Sequence, residues 1–77
     1  MLMLMVNGVR REFEELESGA DVVALVEALG LKGDRVAVEV EGEIVRREGW
    51  SETKLTDGGK VEVVHFVGGG AVSSSGA

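Results

Sequence analysis

A chain of 77 residues, 44% hydrophobic and 29% charged, has the make-up of one small globular domain whose core is marginal, so its local signals must agree with one another. It has no cysteine, which excludes disulfides, thiolate metal sites and a cysteine nucleophile, and leaves any sulfur chemistry without a side-chain thiol. A net charge of −6 argues against nucleic acid, whose binding needs a basic face.

The apolar opening Met1–Val6 is too short for a signal segment or a membrane span and has no basic stretch before it. A cytoplasmic protein without a membrane partner is expected. Asn7-Gly8 ends this first strand with a hairpin signal, because a type I′ turn needs positive φ at both central residues. Val9 to Glu15 alternates between apolar and charged, as a half-exposed second strand does. A two-residue turn sets Val6 opposite Val9. Leu2, Leu4, Val6, Val9 and Phe13 should then share the core face, and Met1, Met3 and Met5 should point away.

After the Ser18-Gly19-Ala20 loop, Asp21 is suited to cap a helix. Val22, Leu25, Val26 and Leu29 follow at i, i+3, i+4 and i+7 as one apolar stripe. Gly30 stops the helix where a left-handed residue is wanted. Arg35 to Val40 alternates as a third strand, Glu41-Gly42-Glu43 turns, and Ile44-Val45 reads as a short fourth strand. Arg46 to Glu52 is polar around Trp50 and predicts a loop or 3₁₀ turn anchored by that ring. Thr56-Asp57-Gly58-Gly59 is a turn, and Lys60 to Val67 the last strand.

One amphipathic helix and one sheet must cover each other, which makes the chain a two-layer α+β domain. The predicted architecture is a β-grasp, with a mixed sheet of four to five strands and one helix across one face. The first and last strands are expected to be adjacent, parallel and central. The domain should cover residues 1–67, and residues 68–77 should form a flexible tail. The last strand runs straight into Gly68-Gly69-Gly70. Composition alone fits either a plain disordered end or a bare strip of backbone that could enter a narrow slot, since glycine has no Cβ. From Val67 to Gly70 such a strip would span roughly 13–14 Å.

Several pieces resemble, in order and spacing, the sulfur-carrier proteins of thiamin biosynthesis, a ubiquitin-like family with a Gly-Gly tail. They are Val6-Asn7-Gly8, Asp21-Val22, Val36-Ala37-Val38, Gly42-Glu43-Ile44-Val45, Arg47-Glu48-Gly49-Trp50, Asp57-Gly58 and Phe66-Val67-Gly68-Gly69-Gly70. The resemblance covers roughly residues 4 to 70. Glu41 and Arg46 depart from it, standing where such proteins often have Asn and Pro. Such proteins also usually end at the Gly-Gly carboxylate, whereas this chain continues through Ala71 to Ala77.

The resemblance implies a carrier and not an enzyme, with no bound cofactor. An ATP-dependent, E1-like adenylating enzyme would activate the carboxylate of Gly70 once residues 71–77 are absent or removed. Sulfur from a cysteine desulfurase or related donor would turn it into a thiocarboxylate, and a thiazole synthase would consume that sulfur. A processing protease is implied if the extension is native. Two alternatives stay open: a sulfur carrier for molybdopterin or another pathway, or a ubiquitin-like modifier or interaction module.

Other residues read as structural. His65 has no Ser, Cys or Asp spaced to form a triad with it. Glu12, Glu14, Glu15 and Glu17 read as a solvated edge without a metal-loop motif, and Trp50 as core. In the last strand Glu62 should face water, because an unpaired buried carboxylate is costly. Period two then puts Val64 and Phe66 on the same face. Met3, Met5, Val64, Phe66 and Val67 are the expected partner-binding residues, as one patch leading to the tail. A homodimer covering the patch is the competing reading.

Overall fold

The computed structural model describes residues 1–67 and 71–72, with Val67, Ala71 and Val72 described through their backbone alone. β1 (Leu2–Val6) and β2 (Val9–Phe13) form the expected hairpin. Asn7 and Gly8 have φ of 52° and 82°, the positive pair that a type I′ turn requires. β1 alternates in burial, with Leu2, Leu4 and Val6 in the core and Met3 and Met5 half-buried on the other side.

The chain then crosses to α1 (Val22–Ala28). Asp21 caps it, its Oδ1 accepting from the Ala24 N–H at 2.9 Å, which satisfies one of the helix's orphan donors. At the other end Gly30 takes φ of 76°. Its N–H donates to the Glu27 carbonyl at 3.0 Å, and the Leu31 N–H donates to the Val26 carbonyl at 3.2 Å. This is a Schellman ending, and a left-handed residue makes it possible. Val22, Leu25 and Val26 are buried, while Leu29 is only half-buried against the core.

A 3₁₀ turn (Gly33–Arg35) leads into β3 (Val36–Val40), which pairs antiparallel with β4 (Glu43–Val45). A second 3₁₀ turn (Arg47–Glu52) carries Trp50, which is 4% exposed and donates from Nε1 to the Val45 carbonyl at 3.0 Å. β5 (Gly59–Val67) runs through the middle of the sheet, parallel to β1 and antiparallel to β3, in the order β2-β1-β5-β3-β4. The mixed sheet with one helix on one face is the β-grasp that the element order predicts. No helix among the described residues is long and apolar enough to cross a membrane.

Two features differ from the expectations. Val9 is paired with Val6 yet 61% exposed, because the hairpin's tip lies beyond the reach of the helix. Ala71–Val72 form a two-residue strand, β6, antiparallel to Phe66–Val67, where a flexible tail was expected. Residues 68–70 and 73–77, on which the rest of that expectation falls, lie outside the described residues.

Leu25 is 0% exposed and Val23 on the outer helix face is 36% exposed. Leu25→Ala should therefore cost about 2–5 kcal/mol and Val23→Ala less than about 0.5 kcal/mol. Urea unfolding followed by circular dichroism measures both.

Candidate functional site

The face of the sheet away from α1 has no element packed on it among the described residues. β5 sets out its residues there by period two. Val61 is buried and Val63 is packed against the core on the helix side, while Glu62 is exposed on the other side, with Val64 and Phe66 half-buried beside it. Glu62 thus faces solvent as its charge demands.

The register decides which of these residues are neighbours. Met5 lies level with Lys60 of β5, and the Gly58 N–H donates to the Met3 carbonyl at 2.7 Å. Val64 is four residues further along than Lys60, about 13 Å at the rise of a strand. Met3 and Met5 therefore share the face of Val64 and Phe66 but occupy its opposite end. Glu62 lies between them, and an ion pair of Arg10 and Glu12 (2.9 Å) flanks the methionines on β2. The single patch expected from alternation is two patches.

The patch nearer the tail has members that alternation along β5 does not reveal. Ala37 of β3 stands directly opposite Val64, and Ile44 of β4 opposite Glu39. Ile44 is 75% exposed, an uncommon environment for a large aliphatic side chain. The signal for it was in the sequence: Val45 packs on the core, so its neighbour on a strand must point outward. Ile44, Ala37, Val64 and Phe66 thus run from the edge of the sheet to the end of β5. Glu39 and Glu62 face each other across the β3–β5 pair, and like charges in that position repel.

The expected sulfur-carrying Gly70 and the glycines Gly68 and Gly69 lie outside the described residues, as does the side chain of Val67. The backbone of Val67 ends β5 and pairs with Ala71. His65 is exposed and lines a depression with Lys32, Asp34 and Arg35 at the end of α1. Arg47 lies beside Gly33 and Trp50 in a groove on the helix side. Glu17 meets the terminal amine of Met1 at 3.5 Å on the surface.

Residues 4–70 match the ThiS family. The chain belongs to the ThiS family. It is 34% identical over 68 residues to the sulfur carrier protein ThiS of Bacillus subtilis, covering 88% of this chain and 100% of that one. It is also 37% identical over 70 residues to a thiazole synthase of Paramagnetospirillum magneticum. That match covers 91% of this chain but 21% of the relative, so the chain spans about a fifth of that protein's length. The crystal structure of a thiamine biosynthesis protein (ThiS) from Geobacter metallireducens aligns with a TM-score of 0.75 and 37% identity, covering 90% of this chain and 100% of that one.

The two departures from the family's usual residues are both accommodated. Glu41 sits at φ of 51°, a conformation that Asn adopts more readily. Its Oε2 accepts the Lys60 N–H at 2.8 Å, which ties the β3–β4 turn to β5. Arg46 has φ of −67°, within the range to which proline is locked.

Because Ile44 and Phe66 lie on the uncovered face, Ile44→Asp and Phe66→Asp should both leave a cooperative thermal transition. Val61→Asp, which places a charge in the core under α1, should abolish it. Melting curves by circular dichroism separate the two outcomes.

Proposed function

We propose that this chain is a sulfur carrier of thiamin biosynthesis that works as a protein co-substrate. The observation that carries the reading is its match, over 88% of this chain and the whole of the relative, with a Bacillus subtilis protein named as a sulfur carrier, together with three glycines directly after the central strand. The carboxylate of Gly70 attacks ATP on an adenylating enzyme, releasing pyrophosphate and leaving an acyl-adenylate. The donor's sulfur then displaces AMP. Sulfide does so directly to give the thiocarboxylate, whereas a protein persulfide gives an acyl disulfide. A further thiol cleaves that disulfide, releasing the thiocarboxylate as that thiol and the donor form a disulfide. The sulfur rides on the main chain, which suits a protein with no cysteine. Two thiazole synthases among the relatives favour a thiazole, and not a molybdopterin, as its destination.

Only a free α-carboxylate can be adenylated, so charging at Gly70 requires a chain that ends there, with residues 71–77 absent or removed. The adenylating enzyme docks on the uncovered face, on Ile44, Val64 and Phe66, and takes the tail that leaves from the same end of β5. Contiguous apolar area on a small protein is commonly a binding surface.

A chain ending at Gly70, incubated with ATP, a sulfur donor and a candidate adenylating enzyme, should show by intact mass one oxygen replaced by sulfur. The chain ending at Ala77 should not react. Equal reaction of the longer chain at Ala77 would refute the assignment of Gly70. In the same assay Phe66→Asp should weaken binding of the adenylating enzyme by about 2 kcal/mol or more if Phe66 is a hot spot, and wild-type affinity in the folded variant would remove it from the interface.

A further inference from the structure

The central strand outruns its parallel neighbour. β1 pairs with β5 only at Leu4↔Gly59, Met5↔Lys60 and Val6↔Val61, and then the chain turns away through Asn7-Gly8 into β2. β5 continues to Val67. β3 still holds one side of it as far as His65, but on the β1 side the backbone of Val63 has lost its strand partner. Asn7 supplies one. Its Oδ1 accepts the Val63 N–H at 2.7 Å, its Nδ2 donates to the Val63 carbonyl at 3.1 Å, and its own N–H donates to the Val61 carbonyl at 2.9 Å.

A carboxamide has the donor and acceptor of a peptide group, so the Asn7 side chain acts as one more residue of β1. The turn by itself does not require this. Position one of a type I′ turn needs positive φ, which glycine or aspartate also provides. Only a side-chain amide can both accept from and donate to the same residue at this reach.

We infer that Asn7 is a positioning residue for the exit of the central strand. It pegs Val63 on the edge where β1 has ended, and so fixes the line along which Val63 to Val67 approaches the glycines. The clasp stands on its own geometry; its use, aiming the tail at an enzyme, rests on the carrier reading above. Asn7 is exposed, so water competes for both bonds and the effect is local more than global.

The test compares the full chain with Asn7→Gly, which keeps positive φ and removes the amide, and Asn7→Asp, which keeps an acceptor and removes the donor. Amide hydrogen exchange by NMR should quicken roughly tenfold at Val63 in Asn7→Gly, the tenfold corresponding to about one such bond. The change should fade by Val67 and leave α1 and Leu2–Val6 unaltered, with Asn7→Asp in between. Unchanged protection at Val63, or equal loss throughout the sheet, would overturn the clasp. With chains ending at Gly70 and showing the wild-type fold by NMR, Asn7→Gly should lower kcat for adenylation several-fold at constant KM. If the wild-type chain reacts and Asn7→Gly reacts at the same kcat, the positioning role is refuted. If the wild-type chain itself is not adenylated, the carrier reading fails, and the exchange data still decide the clasp.

Discussion

One seven-residue helix, about 10 Å long at the rise of an α-helix, has to cover a five-strand layer about 19 Å across at normal strand spacing. Much else in the fold follows from that mismatch. The helix can seal only the middle of one face, and most of the fully buried side chains lie there: Leu2, Leu4, Leu25, Val22, Val38 and Val61. Each contributes about 1.5–3 kcal/mol by leaving water. Around the helix the connections complete the seal, the second 3₁₀ turn packing directly against α1. Trp50 from a 3₁₀ turn, Leu16 from the crossover and Leu55 before β5 are all buried. Beyond those plugs the apolar side chains are exposed, as Val9 is at the hairpin's tip.

The same mismatch leaves the two faces of the sheet unlike. The helix side holds the core, and the other side of the sheet is left to alternate residues free to serve a partner. β5 belongs to both. It is central, held by β1 and β3, and carries core valines on one side and Val64 and Phe66 on the other. Its end is also where the glycines begin. Toward that end β3 holds it as far as His65, and where β1 has stopped the Asn7 amide takes over at Val63. The Glu39–Glu62 opposition on the free face is a mild electrostatic cost for which the isolated chain shows no ion pair among the described residues.

Much of the fold was legible because its signals are local. Asn7-Gly8 announces its turn, Asp21 its cap and Gly30 its stop, and the spacing of Val22, Leu25 and Val26 marks the buried stripe. The site was less legible because it depends on stagger between strands far apart in sequence. Alternation shows correctly that Met3, Met5, Val64 and Phe66 share a face, but not that they lie at different heights on it. That height is pegged by the turn before β5, where Asp57 Oδ1 accepts the Met3 N–H at 2.8 Å and the Gly58 N–H meets the Met3 carbonyl. Neither bond has a signature in sequence. Ile44 was available from the inward packing of Val45, and the clasp of Asn7 on Val63 was hidden behind the residue's more familiar role in turns.

The central claim is that the uncovered face near the end of β5 receives the adenylating enzyme. Chemical-shift mapping of the isotope-labelled chain, titrated with that enzyme, tests it most directly. The account predicts that the perturbed amides cluster at Ala37, Ile44, Val64 and Phe66, with α1 unaffected. Perturbations centred instead on Val23, Glu27 and Arg47, around the groove on the helix side, would contradict it.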